Sequence, residues 1–414
     1  EGGVIYEASR ALPWPGEASI LVAVVHLTTE YSEIDREIRL DGKVVNFINS
    51  RLLPSPELPD PLPLASNDLL GFEGADLRSS GFILDRAEYL ALALDEKNLD
   101  CLMPFLGGEE VNRSPTQTNE RFAINFGSMP LATAETYPAL LRIVNERVKP
   151  ARDRAKDHGP GKQGKKFWWQ YALRADPLYY AIRDLDRCLV AAISSTHLSF
   201  SFQPTRQVFP HSLAVFAFEA YGSFACLQSR IHFLWANLLS SRFWGALRYS
   251  LGDAFRTFPF PRRLADSAVL ENAGREYYEF RSALMLRNGE GLTRTYNRFH
   301  DPEESNSDIL KLRELHAVMD GAVLDHYGWN DIQTDCEFLL DHEIVEEEWG
   351  DKKRPYRYRW PDEVRDQVLA RLLELNVERA REEARSGAVA EKETRGKKAR
   401  STKSSRSIQT KELF

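Results

Sequence analysis

Between Cys188 and Leu239 the hydrophobic pattern of the chain changes three times, and this restricts the fold more than any other feature. Cys188–Ile193 is an unbroken apolar run of strand length. From Thr196 to Gln203 apolar and polar residues alternate, with Leu198, Phe200 and Phe202 on one side and His197, Ser199, Ser201 and Gln203 on the other. Leu213–Phe218 is a further strand-sized run. From Tyr221 to Leu239 the spacing lengthens: Phe224, Leu227, Ile231, Trp235 and Leu238 fall three or four apart, as on one face of a helix. Strands that pass directly into helix in this way are read as a mixed α+β fold. Leu198, Phe200 and Phe202 are expected in its core, which leaves the polar side of their strand free.

The flanking segments extend this pattern. Residues 1–48 read as β structure, with Ile20–Val25 suited to a buried strand and Lys43–Ile48 to another. Pro54, Pro56, Pro59, Pro61 and Pro63 mark a linker. Phe122, Ile124 and Phe126 alternate as a short strand, and a helical stretch from Leu131 to Val148 is interrupted or restarted at Pro138. Residues 153–166, rich in Gly and Lys, read as a mobile loop. Beyond Phe258-Pro259-Phe260-Pro261 the pattern is mainly helical. Ile309, Leu312, His316, Met319, Val323 and Tyr327 form one stripe, and Val364, Val368, Leu372 and Leu375 form another after the helix start Pro361-Asp362. From Ala388 the tail holds eight Lys/Arg, three Glu and almost no large apolar residue, a composition that does not order itself.

Composition limits the function classes. The 414 residues carry a net charge of −7, so any site for a polyanion must be a local patch. The four cysteines are isolated, which argues against a zinc ribbon or disulfide framework and for a reducing, cytoplasmic setting. The apolar runs are too short to span a bilayer, and there is no signal peptide. The first residue is Glu1, so the chain reads as part of something longer.

Two constellations are candidates for binding. Arg142–Arg187 holds twelve Lys/Arg against six Asp/Glu. Within it Arg152, Arg154, Lys156, Lys162, Lys165 and Lys166 crowd the expected loop, followed by Trp168 and Trp169. They read either as a solvated loop beside two core tryptophans or as cations that follow a phosphate backbone. The polar strand face of Ser195, His197, Ser199, Ser201 and Gln203, with Arg206 and Gln207 beyond, reads either as a solvent-facing strand or as donors and acceptors for base edges. His232 and His316 lie on apolar stripes as core histidines. The acidic run Glu343–Glu348 reads as a solvated face. Asp176-Pro177-Leu178-Tyr179 reads as a helix start.

Several segments together carry a resemblance. They are Leu106-Gly107-Gly108-Glu109-Glu110-Val111-Asn112 with Ser114-Pro115-Thr116-Gln117, then Ala123-Ile124-Asn125-Phe126-Gly127, Val148-Lys149-Pro150-Ala151-Arg152-Asp153 and Phe167-Trp168-Trp169-Gln170. Leu178-Tyr179-Tyr180-Ala181-Ile182, Leu185-Asp186-Arg187, Leu227-Gln228-Ser229-Arg230-Ile231-His232 and Phe255-Arg256-Thr257-Phe258-Pro259-Phe260-Pro261 complete the series. Their order resembles the target-recognition region of MmeI-like type II restriction-modification methyltransferases and of related PglX- and DISARM-type phage-defence enzymes. Leu312-Arg313-Glu314-Leu315-His316, Met319-Asp320 and Gly328-Trp329 resemble that group's C-terminal helical domain. Pro13-Trp14-Pro15-Gly16-Glu17-Ala18 resembles the last strands of its catalytic domain.

The resemblance implies four segments: a remnant of the methyltransferase domain (1–40), a mixed target-recognition domain (41–262), a helical domain (263–386) and a disordered basic tail (387–414). It implies sequence-specific recognition of double-stranded DNA on behalf of an enzyme that methylates adenine N6 from S-adenosylmethionine. The methyl donor and the Asn/Asp-Pro-Pro-aromatic motif that grips a flipped adenine belong to a catalytic half expected elsewhere, in cis or as a separate chain. Gly71-Phe72-Glu73-Gly74 is a poor glycine turn, and Gly107-Gly108 opens no clear helix by sequence. No catalytic, cofactor or metal residue is therefore expected here. A separately encoded specificity subunit is the alternative. If the polar strand is not the reader, the loops around Arg113–Arg121 or Arg242–Arg248 are next.

Overall fold

The computed structural model describes residues 3–13, 21–29, 37–54, 57, 60–156, 158–243, 246–340 and 356–387. Trp14–Ala18, the acidic run Glu343–Glu348 and the tail from Ala388 lie outside the described residues.

The chain opens with a four-stranded sheet. Val4–Pro13 (β1) and Leu21–Thr28 (β2) pair antiparallel, and Arg39–Leu40 (β3) and Lys43–Val44 (β4) complete the order β2-β1-β3-β4. The β-branched run expected inside a core is instead the sheet's edge strand. Leu27 is 64% exposed, and Val24 and Val25 are each exposed by about two fifths. Ala8, Leu40 and Ile48 form the sheet's small core.

Gly71–Glu73 (β5) leaves to join the central sheet. A second small sheet comes next: Ile83–Leu84 (β6), Leu102–Phe105 (β7) and Arg121–Ile124 (β8), in the order β6-β8-β7. Helix Arg86–Leu92 (α1) starts from a capping box between Asp85 and Glu88. Gly108–Arg113 (α2) lies between β7 and β8 in sequence and packs on the central sheet. Gly107 is its N-cap, so the Gly107-Gly108 pair does open a helix, though a short one. The expected restart at Pro138 is present: Leu131–Ala134 (α3) stops, and Pro138–Arg147 (α4) begins with the proline in its first turn.

The Gly- and Lys-rich stretch is not a loop. It forms Lys149–Asp153 (α5) and Gly159–Lys166 (α6). Gly159 takes a left-handed φ of 51°, while Gly161 and Gly164 serve close approach. A Cβ at Gly161 would lie 2.1 Å from the Lys156 carbonyl oxygen, and one at Gly164 would lie 2.8 Å from the Arg152 guanidinium. Asp176–Ile182 (α7) confirms the helix-start reading of Asp176-Pro177, with left-handed Ala175 rather than an Asp side chain at the cap position.

The central sheet is built from Arg187–Ala192 (β9), Ser201–Pro204 (β11), Leu213–Phe216 (β12) and β5. Its order is β11-β9-β12-β5 and every neighbouring pair is antiparallel. Beyond the end of β9, Ser194–Ser195 (β10) joins Ser241–Phe243 (β13) and Ala246–Arg248 (β14) in a ribbon of order β10-β14-β13. The expected helix from Tyr221 to Leu239 is two helices, Tyr221–Gln228 (α8) and Arg230–Leu239 (α9). Ser229 breaks it: its hydroxyl donates to the Cys226 carbonyl and accepts from the His232 amide. Helices Ala268–Asn288 (α10), Leu292–Phe299 (α11), Ser307–Tyr327 (α12) and Asp362–Arg385 (α13) follow. The hairpin Glu337–Leu340 (β15) and Tyr356–Arg359 (β16) precedes the last of them.

Two large cores result, and their division is not at residue 262. One core unites the central sheet with α8 to α13, running from Leu106 to Leu373. The other gathers residues 75–171 with Val208, around the β6-β8-β7 sheet and α4. The division expected between 262 and 263 thus crosses shared packing. Helix α13 also reaches back to the proline linker: Asn376 bonds both the amide and the carbonyl of Leu62, and Glu383 accepts from the Ala65 and Ser66 amides.

Candidate nucleic-acid interface

The basic segment divides by burial. Arg152 is only 8% exposed; its guanidinium donates to the carbonyls of Leu77 at 3.1 Å and Gln170 at 3.4 Å, which ties α5 to the segment after β5 and to the turn after α6. Burial lowers its pKa. Arg152 is therefore an internal brace and not a phosphate contact. Lys165 is half-buried and already has a partner. Arg154, Lys156, Lys162 and Lys166 are exposed and make no ion pair or hydrogen bond with any described residue. Lys162 and Lys166, four apart on α6, share one face, and Lys166 lies 5.3 Å from the centre of the Phe167 ring. The tryptophans sit in a turn rather than on a strand. Trp169 is buried and donates to the Met129 carbonyl at 2.9 Å, while Trp168 is half-buried with Lys149 5.9 Å from its ring centre.

The polar strand face is corrected more strongly. Leu198, Phe200 and Phe202 are buried as expected, but His197, Ser199, Ser201 and Gln203 are buried too. Residues 196–200 are not strand; Ser199 is buried, and the other side chains expected on that face bond within the protein. Ser201 Oγ donates to Gln117 Oε1 at 2.8 Å, and Gln203 lies beside Ser201. Ser195 Oγ, half-buried, donates to the His197 carbonyl at 2.8 Å. Ser199, Gln203 and His197 are consequently not free to read bases. A central sheet covered on both faces does this for Ser201 and Gln203, and Arg357 and Asn297 enclose His197 in the loop before it; strict alternation predicts only the first cover. Arg206 is exposed, but it lies beyond β11 at the end of β9 where Arg187 pairs with Pro204, opposite the end that leads to Ser195.

The exposed polar surface at the Ser195 end is the ribbon. Register places Ser194 opposite Arg248 and Arg248 opposite Ser241, so these three side chains share one face, and all three are exposed. Arg248 has no hydrogen bond or ion pair with any described residue. Leu247, on the other face, is buried and anchors the ribbon. Arg242 is engaged with Asn237 Oδ1 at 2.7 Å. Of the two fallback loops, Arg113 and Arg121 are held by Glu109 and Glu110. The signal for the ribbon was present in sequence as Gly245 between two short runs that alternate around Phe243 and Leu247.

Behind the ribbon lies a buried polar cluster. Arg357 of β16 donates to the Thr196 carbonyl at 2.7 Å and to His197 Nδ1 at 3.0 Å. A guanidinium only donates, so Nδ1 accepts, and the proton of His197 sits on Nε2, which donates to Asn297 Oδ1 at 2.7 Å. Arg230 donates to Asp320 at 2.5 Å and to His316 Nδ1 at 2.8 Å. Burial lowers the pKa of His316, and burial with the nearby Arg357 charge holds that of His300 well below its ordinary value. His232 and His316 are thus core histidines.

An open groove of about 500 Å³ runs between the two cores, lined by Glu73, Asp76, Arg174, Asp176 and His211 among others. Its acids are partly neutralised in place, since Arg174 pairs with Asp176 and Arg78 with Asp76. Among the described residues no group of His, Cys, Asp and Glu converges as a metal site, and no helix is long and apolar enough to cross a membrane.

Residues 71–262, which carry both the basic arm and the ribbon, match the family described as MmeI, target recognition domain. This segment is an MmeI-type target recognition domain. Among solved structures, the chain is similar to the type IIL restriction-modification enzyme MmeI in complex with DNA, with a TM-score of 0.65 and 17% identity over 92% of this chain. The match spans 46% of that MmeI chain, and it shows that the fold continues past the recognition domain into α10–α13. No curated protein sequence matches the chain.

Proposed function

We propose that the chain selects the target sequence on double-stranded DNA for a restriction-modification methyltransferase of the MmeI type, including its phage-defence relatives. The observation that carries this reading is the ribbon face Ser194–Arg248–Ser241, an exposed arginine whose side chain has no partner among the described residues, on a segment of the MmeI recognition family. A narrow β-ribbon fits the major groove, where an arginine bonds guanine O6 and N7 together. The exposed cations Arg154, Lys156, Lys162 and Lys166 supply sequence-independent affinity through phosphates. The MmeI structure was determined in complex with DNA, which supports the same partner here.

The reaction served is methyl transfer from S-adenosylmethionine to adenine N6. The described residues do not fit that cofactor. Such a nucleotide binds where parallel strands diverge at a glycine turn, and the central sheet is antiparallel throughout. A Cβ at Gly74 would lie 2.2 Å from the Pro210 carbonyl, so that glycine is filled by backbone and offers no cradle. Asp176-Pro177-Leu178-Tyr179 buries Leu178 completely and cannot grip a base. Donor binding and chemistry are assigned to a catalytic partner, in cis or as a separate chain.

The test is selection from a random duplex library by the full 414-residue chain, followed by sequencing. Enrichment of a defined motif, with Arg248→Ala relaxing one position of it, is the expected result. A chain that binds duplexes without enriching any sequence refutes the reading.

A further inference from the structure

We propose that Arg357, which lies outside the recognition segment, is a positioning residue for sequence reading. The inference rests on the assignment of the ribbon as the reader. Strand β10 is only two residues long, and its hydrogen-bonded partner β14 carries Arg248. So short a strand does not fix its own register. The loop after β10 is held from elsewhere in the chain. The Arg357 guanidinium spans two acceptors, the Thr196 carbonyl at 2.7 Å and His197 Nδ1 at 3.0 Å. Asn297 of α11 closes the other side of the imidazole at 2.7 Å. The ring stacks on His300 with centroids 5.1 Å apart, and His300 Nδ1 accepts from the Tyr358 amide, next to Arg357.

Leu198 packs into the large core, and hydrogen bonds fix the His197 side of the loop. A cavity of about 50 Å³ lies beneath the loop, lined by His197, Arg230, Tyr296, His300, His316 and Arg357 among others. Over a void, the position of the loop is set by its directional bonds. Every gripping side chain (Asn297, His300 and Arg357) comes after residue 262, the end of the family match. The helical C-terminal part therefore contributes to which sequence is read, through the placement of β10 and of Arg248 beside it. A bidentate guanine contact tolerates little displacement, so a loosened loop loses discrimination before it loses affinity.

The experiment compares the full chain with Arg357→Gln, Arg357→Lys and Asn297→Ala in library selection, with binding to a mixed-sequence duplex measured across salt. In the parent chain, discrimination at the Arg248-dependent position is expected at about tenfold to a hundredfold. Arg357→Gln should reduce it to about threefold or less at that position, with other positions, mixed-sequence affinity and salt slope unchanged. Arg357→Lys keeps one donor to the Thr196 carbonyl and should restore part of the discrimination. Asn297 is exposed, so Asn297→Ala carries the test if Arg357→Gln does not fold; it should loosen the same position. An unchanged profile in the folded variants overturns the inference while leaving the ribbon as the reader. A uniform loss at all positions also overturns it, since that is what a merely structural residue produces. A parent chain that enriches nothing refutes the underlying assignment instead.

Discussion

Removal of Lys162 and Lys166 tests how DNA is gripped, and the structure sets the size of the effect. Six cations of the basic segment were candidates from sequence. Arg152 is used internally and Lys165 has a partner, which leaves Arg154, Lys156, Lys162 and Lys166 free to meet phosphates. Each phosphate neutralised on B-DNA contributes about −0.9 to the slope of log K against log salt, so four contribute roughly −3.6. Lys162→Ala with Lys166→Ala should flatten the slope by about 1.8 and weaken all sequences alike. The assay is fluorescence anisotropy of a labelled mixed-sequence duplex, titrated at several salt concentrations. Arg152→Ala serves as the contrast: it should lower thermal stability, because the carbonyls of Leu77 and Gln170 lose their donor. A slope unchanged in the double lysine variant would show that α6 faces away from DNA.

Two further outcomes concern stability. His232 is fully buried, its Nδ1 donating to the Leu227 carbonyl, and burial lowers its pKa from 6.5 to about 4. Because the folded value lies below the unfolded one, the unfolded chain protonates first. Stability is therefore whole above about pH 6.5 and falls as pH drops towards 4, by roughly 3 kcal/mol from this residue alone. His300 and His316, also held low, act in the same direction; thermal melts that are flat over this window would refute the account. Leu69 adopts φ 61° while 70% exposed, so its side chain gains little from packing and strains the backbone. Leu69→Gly should raise stability by roughly 0.5–1 kcal/mol, and a lower melting temperature would contradict this.

What was legible in the sequence was periodicity and its partners. The helical stripes of α12 and α13, the strands β9, β11 and β12, and the buried Phe200 all follow from spacing that one-sided burial imposes. What was not legible depended on a second cover. His197 and Ser201 alternate like solvent-facing residues, yet side chains from distant segments meet them: Asn297 and Arg357 at His197, and Gln117 at Ser201. The glycines of α6 mimic a flexible loop because composition does not distinguish a glycine needed for freedom from one needed for closeness. Arg152 could not be told from its neighbours, since its burial is fixed by Leu77 and Gln170, which are far from it or bent back towards it.

Burial from distant segments also joins the recognition segment and the helices behind it in one core. A proposed reading surface of one two-residue strand and a hairpin has little burial of its own, and Leu247 is its one deeply buried side chain among the described residues of β10, β13 and β14. Its geometry must then be borrowed. The borrowing is physical: Tyr249, the next residue after β14, donates its amide to the Ile193 carbonyl and its hydroxyl meets His232 of α9, while Arg357 and Asn297 hold the loop after β10. The exposed face of the ribbon has no such constraint, since Ser194, Arg248 and Ser241 make few internal contacts. Substitutions there change the contacts offered to DNA at little cost in stability, whereas substitutions behind it alter the frame. Under the proposed function, an exposed face carried on a separate support lets one scaffold present different readers, with the C-terminal helices as part of the support.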